Sequence, residues 1–323
     1  MPTYKCPPYR CPFLLRGEHV ETIVPNLSRR RIGVRYRRAR LELGDGDFVD
    51  LDTAAATGTE SSDTCVLALH GLEGSSGAPY VKSLAKALKG LPWDLVAMNM
   101  RGCSEEPNRA VRFYHSGETG DLREVLSHLE TRYRRVFLFG FSLGGNVVLK
   151  YMGENADRVN SVVAGAVAVS APIDLEGSAL KIGERRNRFY MRRFIRMLSL
   201  KIEAKAQLYP EELDASGVRG LKDFLDFDGR FTAPLNGFSS AQDYWRRCSA
   251  LNWLRDIRVP SLLINARNDP FLSPACFPAS DVEESASLYS VFPDRGGHLG
   301  FPGLRTRDRA WHEAVALGFL EAL

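Results

Sequence analysis

The stretch Val136–Asn146, VFLFGFSLGGN, decides the fold. An apolar run with strand character, Val136 to Phe139, leads directly into Gly140-Phe141-Ser142-Leu143-Gly144, and a helix-spaced segment follows from about Gly144 to Met152. A serine between two glycines, where a buried strand passes into a helix, marks a sharp turn that lifts a hydroxyl out of a sheet. The glycines relieve crowding around a backbone held in a strained conformation, and Gly145 gives further room for close helix packing. A glycine-rich turn carrying a solvated serine is the plainer alternative. The flanking strand and helix count against it.

Working outward, Cys65 to Leu69, Leu95 to Asn99, Val162 to Val169 and Ser261 to Asn265 are short apolar runs that read as buried strands. Pro79 to Leu88 and Gly120 to Tyr133 have helical spacing. Val34 to Leu43 alternates arginine with apolar residues, and Phe48 to Leu51 follows a Gly44-Asp45-Gly46 turn, which predicts a β-hairpin. Apolar strands alternating with amphipathic helices imply an α/β fold with a mostly parallel central sheet and helices on both faces. Between Pro172 and about Leu254 the rhythm breaks. Lys181 to Gln207 reads as an arginine-rich helix with Phe189, Phe194, Ile195 and Leu198 as its apolar stripe. Ser239 followed by Gln242 suggests a capping box opening a helix that carries Tyr244 and Trp245. The expected organisation is a core from 1–172 and 255–323, with an N-terminal arm 1–30 along its surface and a helical cap insertion at 173–254.

A serine hydroxyl needs a base to become a nucleophile. His298 lies in Gly296-Gly297-His298-Leu299-Gly300, a loop before the C-terminal helix, and Asp269 lies in Asn268-Asp269-Pro270, shortly after a strand. The order serine, aspartate, histidine is the one used by the α/β-hydrolase fold. In that arrangement Asp269 would fix the histidine tautomer and stabilise the imidazolium. Asp294 is the rival acid, but it stands too close to His298 in sequence. The loop His70-Gly71-Leu72-Glu73-Gly74 follows a strand where the fold places an oxyanion donor. The oxyanion hole is accordingly assigned to the backbone N–H groups of Leu72 and Leu143, each worth roughly 3–4 kcal/mol to a transition state. His70 reads as a brace for this loop, and His115 as structural. Cys103 lies near the expected site without a histidine to activate it. Such a constellation implies acyl transfer through an acyl-serine, with no metal or organic cofactor. It leaves open whether water or an alcohol takes the acyl group, and a non-catalytic ligand-binding protein is the remaining alternative.

Bulk properties narrow the partners. The 323 residues are 44% hydrophobic and 25% charged, with a formal charge of +4 and a pI near 8.7. No nucleic-acid-reading module accompanies this mild basicity. The arginines between Arg29 and Arg40, and those from Arg185 to Arg196, read as solvated faces. Six scattered cysteines without CxxC spacing suggest reduced thiols and a cytoplasmic location. The N-terminal MPTYKCPPYRCPFLL has prolines where a signal peptide needs an apolar run. No stretch reaches the ~18–20 apolar residues of a spanning helix. Peripheral membrane contact and oligomeric state stay open.

A closer resemblance covers nearly the whole chain. It is carried by His70-Gly71-Leu72-Glu73-Gly74-Ser75-Ser76-Gly77, by Met100-Arg101-Gly102-Cys103-Ser104 with Pro107-Asn108-Arg109, and by Tyr114-His115-Ser116-Gly117. Gly140 to Asn146, Thr232-Ala233-Pro234-Leu235-Asn236-Gly237-Phe238, Asp269-Pro270-Phe271 and Gly297-His298-Leu299-Gly300-Phe301 complete it. In this ordered set the chain resembles the YheT-like family of α/β-hydrolases, which includes bacterial hydrolases, eukaryotic membrane-anchored lipid hydrolases and yeast medium-chain ester synthases. The resemblance implies that Ser142, Asp269 and His298 are the charge-relay positions. It also implies a serine carboxylesterase acting on small-molecule esters of short to medium acyl chains. Two departures stand out: Glu21 replaces the usual glutamine, and the N-terminal anchor of the eukaryotic members has no counterpart.

Overall fold

A computed structural model describes residues 4–56, 62–303 and 309–323. Among them, eight strands form one sheet: β1 (Arg37–Glu42), β2 (Phe48–Ala54), β3 (Thr64–Leu69), β4 (Asp94–Asn99), β5 (Arg135–Phe141), β6 (Val163–Val169), β7 (Ser261–Ile264) and β8 (Leu288–Val291). Their spatial order is β1-β2-β4-β3-β5-β6-β7-β8. The β1–β2 and β2–β4 pairs are antiparallel and all the others parallel. Because successive side chains point to opposite faces, β3 divides its apolar residues between two cores. Cys65, Leu67 and Leu69 join one and Val66 and Ala68 the other.

Helices cover both faces. The first core takes α3 (Thr119–Leu129), α4 (Leu143–Glu154) and the helices between β6 and β7. The second takes α2 (Pro79–Ala87) and the C-terminal helix Trp311–Glu321. Register sets Leu69 beside Gly140, and Gly140 beside Ala168. The carboxyl ends of β3, β5 and β6 therefore lie abreast, and the loops that leave them meet above the sheet. That edge is where open α/β sheets build their sites.

Several elements depart from the sequence reading. The supposed arm contains a helix, α1 (Glu18–Arg29), with Pro25 inside it. β8 was unassigned, because its four residues, LYSV, are too short to show a period. The expected helix from Lys181 to Gln207 is divided into α5 (Leu175–Gly183) and α6 (Arg188–Leu208), joined by a tight turn at Arg185–Asn187. The cap of the helix bearing Tyr244 and Trp245 is Ser240, which accepts from Asp243 N–H, one residue beyond the expected Ser239. No helix among the described residues is long and apolar enough to cross a membrane.

The arginines at the N-terminal side are less solvated than expected. Arg38 grips Asp52 and Arg40 grips Asp50, each through two hydrogen bonds. Arg29 is buried. Deeper still, Arg101 is only 1% exposed and donates to Asp45, Asp47 and both oxygens of Asp121. Removing one partner of such a buried pair strands the opposite charge, at a cost of about 3–5 kcal/mol. Arg101→Met is thus expected to lower unfolding stability by about that amount, read from the urea midpoint. A midpoint equal to wild type would contradict the assignment.

Candidate active site

Ser142 ends β5 and opens α4 with φ 52° and ψ −120°. An L-residue holds this conformation only when its surroundings dictate it. The glycines of the motif make the turn sterically feasible. A Cβ at Gly140 would lie 2.4 Å from the Gly144 carbonyl, and one at Gly144 would lie 2.4 Å from the Leu69 carbonyl. Ser142 N–H donates to Val169 O, which ties the turn to β6.

The structure brings the three expected side chains together. His298 Nε2 stands 2.9 Å from Ser142 Oγ. His298 Nδ1 stands 2.8 and 3.1 Å from the two oxygens of Asp269. Asp269 is buried, also accepts from Phe271 N–H, and leaves the imidazole to pack 4.3 Å from the Phe271 ring. The rival Asp294 is exposed. A histidine so placed can take a proton from the serine while the carboxylate stabilises the resulting charge.

What fixes His298 was not foreseen. Four consecutive backbone N–H groups of its loop are each taken by a side chain from elsewhere. Gly296 donates to Glu21, Gly297 to Asn268, His298 to Thr22 and Leu299 to Ser170. The carbonyls of Leu299 and Gly300 accept from Arg29. Glu21, fully buried, also receives Gly17 N–H, Asn268 Nδ2 and Arg295 Nη1. So α1 turns its polar side inward and clamps the histidine loop. The signal was present in Glu21, which departs from the family residue. Polar residues on a helix are ordinarily read as its outer face, and that masked it.

The loop after β3 abuts the serine: a Cβ at Gly71 would stand 3.0 Å from Ser142 Cβ. His70 is buried, faces Gly71 O through Nδ1 at 2.7 Å and accepts Met100 N–H at Nε2. Burial pushes its pKa down to about 4, so it braces the loop as a neutral ring. Glu73 is held by Tyr114 OH and by Lys201 of α6 at 2.7 Å. Leu72 and Leu143, the expected oxyanion donors, both line the cavity that contains Ser142 and His298. The N–H of Leu143 belongs to the first turn of α4, where helical donors lack intrahelical partners.

Residues 64–301 match the family described as alpha/beta hydrolase fold. The chain is 35% identical over 289 residues to YheT of Escherichia coli (strain K12), which is named as an esterase; the match spans 88% of this chain and 84% of YheT. The chain belongs to the YheT-like family of α/β-hydrolases. Another relative, the "Medium-chain fatty acid ethyl ester synthase/esterase 2" of Saccharomyces cerevisiae, is 28% identical over 73% of this chain and 57% of its own length. Among solved structures, the Pyrococcus furiosus esterase Pf2001 has the same fold, with a TM-score of 0.58 at 16% identity over 90% of this chain and 93% of that one.

In this YheT-like chain the cavity over Ser142 measures about 100 Å³. Its lining includes the apolar Leu175, Ile182, Phe194, Leu198, Phe224 and Phe271 together with His115, Asp228, Thr232, Tyr244 and Trp245. Of the aromatics placed on the helices between β6 and β7, Phe194, Tyr244 and Trp245 line the cavity, whereas Phe189 is 47% exposed and lies against Tyr190 and His19. Burial pushes the Cys103 thiol up to about 11 despite Lys201 beside it, so it stays protonated.

Two measurements check these assignments. Thr22→Val keeps the side-chain shape but orphans His298 N–H, and is expected to cost about 1–3 kcal/mol of stability by urea unfolding. Nitrogen-15 NMR of the imidazoles should find His70 neutral from pH 8 down to about 4. Because its folded pKa lies below the unfolded value of about 6.5, its contribution to stability is present above that value and is lost as pH falls toward 4. A His70 titration near 6.5 would contradict the brace.

Proposed function

We propose that this protein is a serine hydrolase of carboxylic esters with short to medium acyl chains, working through an acyl-Ser142 intermediate. The observation that carries the reading is the continuous hydrogen-bonded line from Ser142 Oγ through His298 to Asp269. Ser142 Oγ attacks the acyl carbonyl as its proton passes to His298 Nε2. The N–H groups of Leu72 and Leu143 receive the developing oxyanion. His298 then protonates the departing alkoxide, and a water deprotonated by the same imidazole releases the acid. A cavity of about 100 Å³ with an aliphatic and aromatic wall suits a short acyl chain. The relatives named as esterases support the same reading. Helices between β6 and β7 act as the cap, from about 173 to 254. The free cysteines fit a cytoplasmic setting.

Hydrolysis is favoured over transfer to an alcohol because polar groups of the cavity lining already bond within the chain. Asp228 accepts from Thr232 and Trp245, and Tyr244 OH accepts from Ser116 N–H. Water at about 55 M needs no binding site, whereas an alcohol must gain effective concentration from one.

Ser142→Ala should abolish ester turnover while leaving the unfolding midpoint unchanged. Asp269→Asn should lower kcat by about 10³–10⁴-fold through the wrong histidine tautomer, whereas Asp294→Asn should be nearly silent. The reverse order would displace Asp269. With a medium-chain ester and rising ethanol, free acid should dominate throughout the millimolar range. Ethyl ester dominating there would replace hydrolysis with alcohol transfer.

A further inference from the structure

The helix that clamps the histidine loop is turned inside out. Its buried residues are Glu21, Thr22, Pro25 and Arg29, so its apolar side chains are left facing water. Val20, Ile23, Val24 and Leu27 are 37–49% exposed, and the preceding Phe13 and Leu14 are 77% and 90% exposed. Four of these recur at the i, i+3, i+4, i+7 spacing of a helical stripe. Such a row of exposed apolar side chains along one helix face marks an interaction surface.

The stripe continues onto the cap. His19 packs edge-on against Phe189 at 5.4 Å and lies 5.7 Å from Tyr190, which places the start of α1 beside the start of α6. Cations flank α1 at both ends. Arg16 precedes it and Arg30 and Arg31 follow it, all exposed. Among the described residues, none of these three has a carboxylate partner, whereas Arg186, just before α6, is paired with Glu184 and with Glu18 of α1.

We propose that this face, built from α1 with Phe13 and Leu14 ahead of it, docks on an anionic phospholipid surface. The apolar stripe enters the headgroup boundary while the arginines meet lipid phosphates. A row of single protruding apolar side chains, rimmed by unpaired cations, has the chemistry of an interfacial helix. Docking also gives the inverted helix two roles: its inner side positions His298 and its outer side holds the enzyme where ester-bearing lipids lie. The docking itself is read without substrate, so it stands or falls apart from the chemistry at Ser142.

The test is co-sedimentation of the full chain with vesicles of phosphatidylcholine alone, or with about one-third phosphatidylglycerol. Binding to the anionic vesicles is expected to be at least about ten-fold tighter and to weaken as salt rises toward about 0.5 M. Ile23→Ser with Leu27→Ser, and separately Arg16→Gln with Arg30→Gln and Arg31→Gln, should each reduce that binding about ten-fold or more. Hydrolysis of a soluble short-chain ester serves as the folding control and should not change in either variant. Binding that ignores lipid charge, or variants that sediment like wild type, would overturn the proposal. So would a dimer in wild type that the Ile23→Ser, Leu27→Ser variant converts to monomer, since the stripe would then belong to a second copy.

Discussion

Ser142 holds a positive φ at the end of the central strand, and the rest of the site is arranged around that constraint. The turn needs glycine on both sides because backbone from β3 and α4 crowds it to within 2.4 Å of any added Cβ. With the backbone at the serine fixed, its Cβ has one direction to face. The histidine must come to it. His298 rides on a loop with two adjacent glycines, and such a loop has no conformation of its own to offer. It acquires one from outside, through Glu21, Thr22, Asn268, Ser170 and Arg29. The two side chains are therefore held by opposite means: local strain for the serine, and distant side chains for the histidine.

The same division appears on the other side of the cavity. The loop after β3 is set by a neutral buried histidine beneath it and by the Glu73–Lys201 pair above. Since Lys201 belongs to α6, one helix touches both the loop after β3 and, through Phe194 and Leu198, the cavity. Lys205, one turn further along, donates to the carbonyls of Asn108 and Ala110. α6 is thus bound to the rest of the chain through charged groups, while Phe194 and Leu198 face the cavity. Displacing α6 would disturb the loop expected to stabilise the oxyanion as well as the wall that shapes the substrate.

The central strands, the turn at Ser142 and the positions of Asp269 and His298 were legible because each rests on local sequence. Buried parallel strands are continuous apolar runs, and a nucleophile turn requires its glycines at fixed offsets. The misread parts rest on tertiary context. β8 is too short to show a period, and Leu288–Val291 becomes a strand only by lying beside β7. The break between α5 and α6 follows Gly183, and it depends on Asn187, buried and bonded to Lys181 O and Pro270 O, contacts remote from any propensity. α1 is the most instructive failure. Its apolar residues have ordinary amphipathic spacing, so the usual reading would bury them. The structure buries Glu21, Thr22 and Arg29 instead, because the histidine loop presents N–H and carbonyl groups that only polar side chains can satisfy.

The most direct test of the central claim, that Ser142 is the acyl-accepting nucleophile, is the site of covalent modification by a fluorophosphonate, mapped by peptide mass spectrometry alongside residual ester turnover. The label should fall on the peptide containing Ser142, and turnover should disappear in proportion to labelling. Turnover that persists with Ser142 fully modified, or inactivation that follows a label on another residue, would contradict it.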